Sequence, residues 1–204
     1  MLSLIHQLAA QGKLVVAAVG NLGRNVDPSA GLSACPAGSM GSDGIAVTSV
    51  GPLDDAPGWA DYGATNVDIA APGGPLLVDD SGGGWTQEMG SSMAAALVSG
   101  AAADLWSAHP AATAAQIRQA ILQGSRKLPS LTGRCTSGGM VDLAGADVLL
   151  AALVPPPTAV PAPVTPVAVV ASLRSTATSA KATHVKLNPR RKMRHHTRTI
   201  SSHS

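Results

Sequence analysis

The sequence has no phenylalanine and a single tyrosine, so its core must be built from alanine, valine, leucine and isoleucine. It has only two cysteines, Cys35 and Cys135. They could form one disulfide or remain two free thiols, and the sequence alone allows both. No stretch of roughly 18 or more uninterrupted apolar residues occurs, which argues against a membrane-spanning helix. The apolar fraction of 45% is still enough for the core of one ordinary domain with an appendage.

Acidic residues are missing from the end of the chain. Residues 1–150 hold all 12 Asp and Glu and 6 of the 14 Lys and Arg, whereas residues 151–204 hold the other 8. Seven prolines fall within residues 155–189, and a basic end follows them. This composition predicts a folded domain over 1–153 and a disordered Pro/Ala-rich linker with a basic tail over 154–204.

Three apolar runs predict strands. "KLVVAAV" (13–19) and "IAVTSVG" (45–51) resemble strands buried on both faces, and "NVDIAAPGG" (66–74) predicts a third that Pro72 and Gly73 end. The segment 20–44 is a long loop rich in glycine, serine and proline, and residues 75–86 predict a hairpin around "DDSGGG".

Helical patterns separate and follow these strands. They cover residues 1–11, 91–107 and 142–153, and a further helix follows Thr113 as its N-cap. The helix 91–107 is apolar nearly all round, which predicts a central position. Strands that alternate with helices indicate an α/β fold with a parallel sheet flanked by helices.

The start of the central helix, "GSSMA" (90–94), places serines where nucleophilic chemistry is favoured. First-turn N–H groups of a helix have no partner within the helix, and they can stabilise a developing oxyanion. Gly90 would allow a tight turn and room for a substrate. The alternative is that a serine here only caps the helix.

Two other polar residues lie at predicted strands, Asn21 just after the first strand and Asp68 within the third. Asn21 follows the first strand, where its amide N–H could serve an oxyanion hole, although Gly20-Asn21 could equally be an ordinary turn. Asp68 could be catalytic, but no histidine neighbours it in the sequence, and a structural hydrogen bond to backbone is favoured.

Taken in order, these segments resemble the subtilisin-like serine peptidases, or subtilases. The resemblance rests on "VVAAVGN", "IAVTSVG", "YGATNVDIAAPGG", "GSSMAAALVSG" and "CTSGGMVDLAGADVLLAA". It implies a three-layer subtilisin-like fold, incomplete here, with Ser92 as nucleophile and Asn21 as oxyanion donor. It also implies that Ala18, Val19 and Gly20 line the primary specificity pocket and leave room for a large apolar side chain.

The catalytic aspartate and histidine segments of the family, Asp-Ser/Thr-Gly and His-Gly-Thr, do not occur in this sequence. His6 and His109 lie in other contexts, and the other four histidines lie in the tail. We therefore expect a carboxyl-terminal fragment of a serine endopeptidase domain that is inactive alone. The alternative is a non-catalytic remnant that binds a peptide or a partner.

The resemblance carries further expectations. No metal-ligand spacing is evident, and calcium bound through oxygens of the 20–44 loop is only what the resemblance allows. Expected partners are a polypeptide substrate and a missing amino-terminal half of the same domain, without nucleic acid, since no aromatic residues interleave the basic tail. The family implies a secreted or cell-envelope protein, although no signal peptide is evident at the start of this sequence.

Overall fold

The computed structural model describes residues 1–28 and 37–154. Within these residues it contains seven strands, four α-helices and two short 3-10 turns. The strands are β1 (Val15–Ala18), β2 (Gly44–Val50), β3 (Ile69–Pro72), β4 (Leu76–Asp79), β5 (Trp85–Glu88), β6 (Arg126–Lys127) and β7 (Gly139–Met140). The helices are α1 (Leu2–Ala10), α2 (Ser91–Ala108), α3 (Ala114–Gln123) and α4 (Leu143–Leu153).

Five strands form the main sheet in the order β1-β2-β3-β7-β6, and β4 pairs with β5 in a separate antiparallel hairpin. β1, β2, β3 and β7 run parallel, with Val16 beside Ile45 and Val47 beside Ile69. β6 runs antiparallel to β7. The predicted α/β class with parallel strands flanked by helices is confirmed. The two short strands β6 and β7 were not predicted, because two residues carry no periodicity.

The sheet is buried on both faces. On one face, Ile45 and Val47 pack against Val98 of α2 and against residues of α3 and α4. On the other face, Ala46 and Val50 pack against Ile5 of α1 and residues from the loops. This burial on both sides explains why the strands read as continuous apolar runs.

β1 and α2 are less buried than their apolar sequences predict. β1 lies at the end of the sheet, has one strand neighbour among the described residues, and is half-buried throughout. α2 packs across β1, β2 and β3, as expected of a central helix, but its outer face, which includes Leu97, is exposed. β1 does pack against both core clusters, through Val16 on one face and Val15 on the other, but each of its residues is only half-buried, so the expectation of full burial is not met within this part of the chain.

Several predictions concern other parts of the chain. The tail proposed for 154–204 lies outside the described residues, except for Val154, which is buried in the core. Cys135 is buried, while Cys35 lies in the undescribed segment 29–36, so one disulfide and two free thiols both stay open. No described helix has the length and apolar character needed to cross a membrane.

The loop after β1 is fastened to the segment before β3 by one buried carboxylate. Asp27 accepts hydrogen bonds from the backbone N–H groups of Ala64, Thr65 and Asn66 at 2.7–2.9 Å and from the Thr65 hydroxyl at 2.8 Å. Burial raises the pKa of this carboxyl, but the hydrogen bonds from Thr65, Asn66 and Ala64 outweigh burial and leave the pKa below its usual value.

We predict that Asp27→Asn lowers the free energy of unfolding by about 3 kcal/mol, because an amide cannot accept all four hydrogen bonds. Since the folded pKa lies below the unfolded one, the carboxylate stabilises the fold above the unfolded pKa of 3.8. That stabilisation is lost as pH falls through the folded pKa. Urea unfolding at pH 7 and at pH 3 measures both effects. An equal loss on substitution at the two pH values would contradict the assignment.

Candidate active site

The exit of β1 is a tight turn organised by Asp61. Gly20 has a φ of 123°, and a side chain at this position would collide with the Asp61 carboxylate. Asp61 Oδ1 accepts the N–H groups of Leu22 at 2.9 Å and Arg24 at 2.8 Å, and its own N–H donates to Gly20 O at 3.0 Å. This buried aspartate therefore shapes the backbone on which Asn21 sits, and sequence reasoning assigned it no role.

Asn21 is joined to the start of α2 by Ser91. The Ser91 N–H donates to Asn21 Oδ1 at 2.8 Å, and Ser91 Oγ lies 2.9 Å from the same oxygen. Ser91 Oγ also accepts the Gly20 N–H at 3.1 Å. Both side-chain contacts that Asn21 makes with described residues use Oδ1, so its Nδ2 hydrogens have no partner among those residues and can bond to a ligand.

Gly90 provides the space in which Asn21 and α2 meet. Its φ is 155°, and a side chain here would lie 3.0 Å from Asn21 Nδ2. The Gly90 N–H donates to Gly73 O at 2.7 Å, which ties the start of α2 to the end of β3. The turn before α2 is thus attached to two of the sheet's parallel strands at their carboxyl ends, where open α/β sheets bind ligands.

Ser92 is the second residue of α2 and is exposed. The helix begins after Gly90, which makes no side-chain cap, so neither serine fills the capping position that the alternative interpretation required. The structure therefore brings the exposed Ser92, the first-turn N–H groups of α2 and Asn21 to one corner of the sheet. This arrangement can present a hydroxyl beside several hydrogen-bond donors, which is what acyl transfer needs.

The three residues predicted to line the primary pocket differ in their surroundings. Ala18 is half-buried against the core beneath α2, whereas Val19 is buried in the core cluster on the opposite face of the sheet. Gly20 is half-buried beside Asp61. Their pocket role stays a prediction.

Neither described histidine can reach Ser92. His6 pairs with Asp43, which directly precedes β2 at the amino end of the strands, whereas Asn21 lies beyond their carboxyl end. His109 Nε2 lies 2.7 Å from Asp147 Oδ1, and it follows α2, about 26 Å along the helix from Ser92. A general base must lie within hydrogen-bond distance of the nucleophile, so neither His6 nor His109 can act as the base for Ser92.

Asp68 has a structural role, as its favoured interpretation predicted. Its Oδ2 accepts the Ala46 N–H at 2.8 Å, and its Oδ1 pairs with Arg118 at 2.7 Å. Arg118 also donates to Gly44 O at 2.7 Å, so the pair joins α3 to the sheet. Burial raises the pKa of the Asp68 carboxyl, although Ala46 and Arg118 oppose the change.

Metal ligands are sparse in the described part of the chain. Residues 1–28 and 37–154 hold no group of three or more His, Cys, Asp or Glu side chains suited to a metal ion. The donors proposed for calcium were oxygens of the 20–44 loop, of which 29–36 are not described. Calcium therefore stays an expectation from the resemblance.

Comparisons with known proteins agree on one family. A family model described as the Subtilase family matches residues 3–143. One of the subunits of the subtilase cytotoxin of Escherichia coli is 35% identical over 81 residues, which is 40% of this chain and 23% of that protein.

Two solved structures extend the comparison to the fold. A structure of the subtilase cytotoxin SubAB assembly has a TM-score of 0.64 at 27% identity, covering 74% of this chain and 53% of the other. The self-cleaved protease domain of PatA has a TM-score of 0.62 at 28% identity, covering 74% of this chain and 55% of the other. The chain thus spans about half the length of these solved chains, and its match to the cytotoxin subunit covers 23% of that protein.

We predict that Ser91→Ala lowers the free energy of unfolding by about 1–2 kcal/mol, because the Gly20 N–H loses its acceptor and Asn21 loses one contact. Ser91→Thr retains the hydroxyl and should recover most of this loss. The measurement is urea unfolding, together with the NMR signals of the Asn21 side-chain amide, which should broaden in the alanine variant.

Ser99→Ala is the matched control, because among the described residues Ser99 Oγ bonds to Ala95 O of the same helix and to nothing else. It should change the free energy of unfolding by less than about 0.5 kcal/mol. If Ser91→Ala behaves like this control, Ser91 does not hold Asn21 in place.

Proposed function

The chain belongs to the subtilase family, and we propose that it supplies the nucleophile and the oxyanion donor of a serine endopeptidase. Ser92 is the proposed nucleophile and Asn21 the proposed oxyanion donor. The observation that carries the proposal is the double contact of Ser91 with Asn21 Oδ1, at 2.8 and 2.9 Å. This contact orients the amide, with Nδ2 as its free donor, at the start of the helix that carries Ser92.

The proposed reaction is hydrolysis of a peptide bond through an acyl-enzyme. Ser92 Oγ attacks the carbonyl carbon, and its proton passes to a general base. The carbonyl oxygen becomes an oxyanion that accepts hydrogen bonds from Asn21 Nδ2 and the Ser92 N–H. The C–N bond then breaks, the base returns the proton to the leaving amine, and water hydrolyses the ester on Ser92.

The general base and the aspartate that orients it are proposed to come from polypeptide outside the described residues. The matched solved chains are nearly twice as long as the part this chain covers, at 53% and 55%. An amino-terminal half of a subtilase domain would supply both groups. The half-buried β1, at the end of the sheet, offers it a strand edge.

The remaining features of the proposed enzyme follow from the family. The substrate is a polypeptide, with a large apolar side chain in a pocket lined by Ala18, Val19 and Gly20. The enzyme acts outside the cytoplasm, where subtilases mostly work, and calcium bound by loop oxygens would stabilise it.

A second candidate function is peptide or partner binding without catalysis. It is favoured by the positions of His6 and His109, each of which is paired with an aspartate away from Ser92. The two candidates differ in whether Asp-Ser/Thr-Gly and His-Gly-Thr segments accompany this chain. Sequencing the DNA upstream of the Met1 codon separates them: an open frame with both segments supports the peptidase, and a stop codon without them supports the binding remnant.

We predict that the protein joined to such segments, in one chain or as a complex, cleaves an internally quenched peptide, and that Ser92→Ala abolishes cleavage. Asn21→Ala should lower kcat about 100- to 1,000-fold with little change in KM, because the donor acts on the transition state.

Ser99→Ala, on the same helix, should leave the rate unchanged and serves as the control. A preparation in which Ser92→Ala keeps full activity would show that the cleavage is not performed by this site. A rise in KM with kcat unchanged for Asn21→Ala would instead assign Asn21 to substrate binding.

A further inference from the structure

The Asp61 carboxylate holds the backbone that follows Asn21. Its Oδ1 accepts the N–H groups of Leu22 at 2.9 Å and of Arg24 at 2.8 Å. Asp61 is only 5% exposed, and a hydrogen bond to an ionised acceptor is stronger than one between neutral groups. Since Leu22 and Arg24 lie just after Asn21, this carboxylate fixes the direction in which the chain leaves Asn21.

Asp61 is itself anchored to β2 through its own carbonyl group. Thr48 Oγ1 donates to Asp61 O at 2.6 Å, and Thr48 is 2% exposed. Thr48 lies in β2 between Ala46 and Val50, which pack on the face of the sheet away from α2. Because side chains two residues apart in a strand share a face, Thr48 points away from α2 as well. Asp61 therefore reaches the turn at Asn21 from the face opposite α2.

The Asn21 amide is thus held from both faces of the sheet. On the α2 face, the Ser91 N–H donates to Asn21 Oδ1 at 2.8 Å. On the other face, the Asp61 N–H donates to Gly20 O at 3.0 Å, and the Asp61 carboxylate binds the backbone after Asn21. An amide held at its oxygen alone can still pivot about that oxygen. The position of Asn21 Nδ2 therefore also depends on where Asp61 places the backbone.

We propose that Asp61 is a positioning residue of the peptidase, which acts on catalysis through Asn21 by fixing the backbone from which the Nδ2 donor extends. This inference rests on the proposed function, because it takes Asn21 to be the oxyanion donor. Displacement of a catalytic group by about 1 Å can lower a rate about 100-fold. Since the donor acts on the transition state, loss of Asp61 should lower kcat and leave KM nearly unchanged.

Two substitutions at Asp61 remove different parts of its role. Asp61→Ala removes the acceptor of both N–H groups, whereas Asp61→Asn retains an amide oxygen that can accept them. Both variants keep the backbone N–H that donates to Gly20 O and the carbonyl that accepts Thr48 Oγ1. Gly20, a predicted pocket residue, therefore stays attached, which is a second reason to expect little change in KM.

Asp27→Asn is the matched control. Asp27 is also a buried aspartate, at 6% exposure, and it joins the same two loops by accepting backbone N–H groups. Those groups belong to residues 64–66 rather than to the turn at Asn21. A general loosening of the two loops would affect both aspartate variants, whereas displacement of Asn21 would follow only from substitution of Asp61.

The first measurement is cleavage of the internally quenched peptide by the protein joined to the aspartate and histidine segments. Circular dichroism gives the folded fraction of each variant, and each kcat is referred to that fraction. We expect Asp61→Ala to lower kcat about 10- to 100-fold with KM within about 3-fold, and Asp61→Asn to lower kcat less. Asp27→Asn should leave kcat within about 2-fold.

The second measurement separates positioning from a structural role. In the Asn21→Ala background there is no donor left to position, so adding Asp61→Ala should lower kcat by less than about 3-fold. A fall of the same size in both backgrounds would mean that Asp61 does not act through Asn21. That result would overturn the proposal and leave the proposed function intact.

The third measurement uses the full chain alone and needs no activity. In Asp61→Ala, the NMR signals of the Asn21 side-chain amide should shift, and the Leu22 and Arg24 N–H groups should exchange with solvent about 10-fold faster. Unchanged Asn21 signals would overturn the proposal whatever the kinetics. Shifted signals without any cleavage that depends on Ser92 would instead overturn the proposed function, and the catalytic role of Asp61 with it.

Discussion

The contact between Ser91 and Asn21 is the interaction on which the candidate site depends. It joins two segments that lie 70 residues apart in the chain, the end of β1 and the start of α2. Neither segment alone presents a donor beside a nucleophile. Their contact requires a backbone without side chains at Gly20 and Gly90, both at positive φ, and the Asp61 carboxylate that shapes the turn. Positive φ and glycine entropy each cost stability, and such costs concentrate at functional sites.

Most of the fold could be predicted from local sequence patterns. The runs "VVAA", "IAVTSV" and "IAAP" became parallel strands because burial on both faces needs continuous apolar residues. The Thr113 cap was also confirmed, as its hydroxyl accepts the Gln116 N–H at 3.2 Å. The corner that holds Ser92 and Asn21 was predictable only as an ordered set of motifs, because each motif alone also suits a turn or a cap.

The remaining features depend on contacts between distant residues, for which the local sequence has no signal. Asp27 and Asp61 look like ordinary loop aspartates, yet each fastens backbone groups about 40 residues away. The partner of Asp68, Arg118, lies 50 residues further on. The exposed edge of β1 was not predicted for a related reason. An apolar run indicates that a strand is buried, but it does not indicate whether the neighbouring strand comes from the same part of the chain.

The geometry also weighs between the two candidate functions. A remnant that only binds peptides needs a groove. It does not need an Asn21 amide whose oxygen is held by Ser91 and whose nitrogen is left to donate to a ligand. It likewise has no need of the positive φ and missing side chain of Gly90, which let Asn21 lie against the first turn of α2. Oriented donors at a helix start stabilise charge that develops during a reaction, and this part of an acyl-transfer site works independently of the base. The presence of these donors therefore favours the proposed peptidase over the binding remnant.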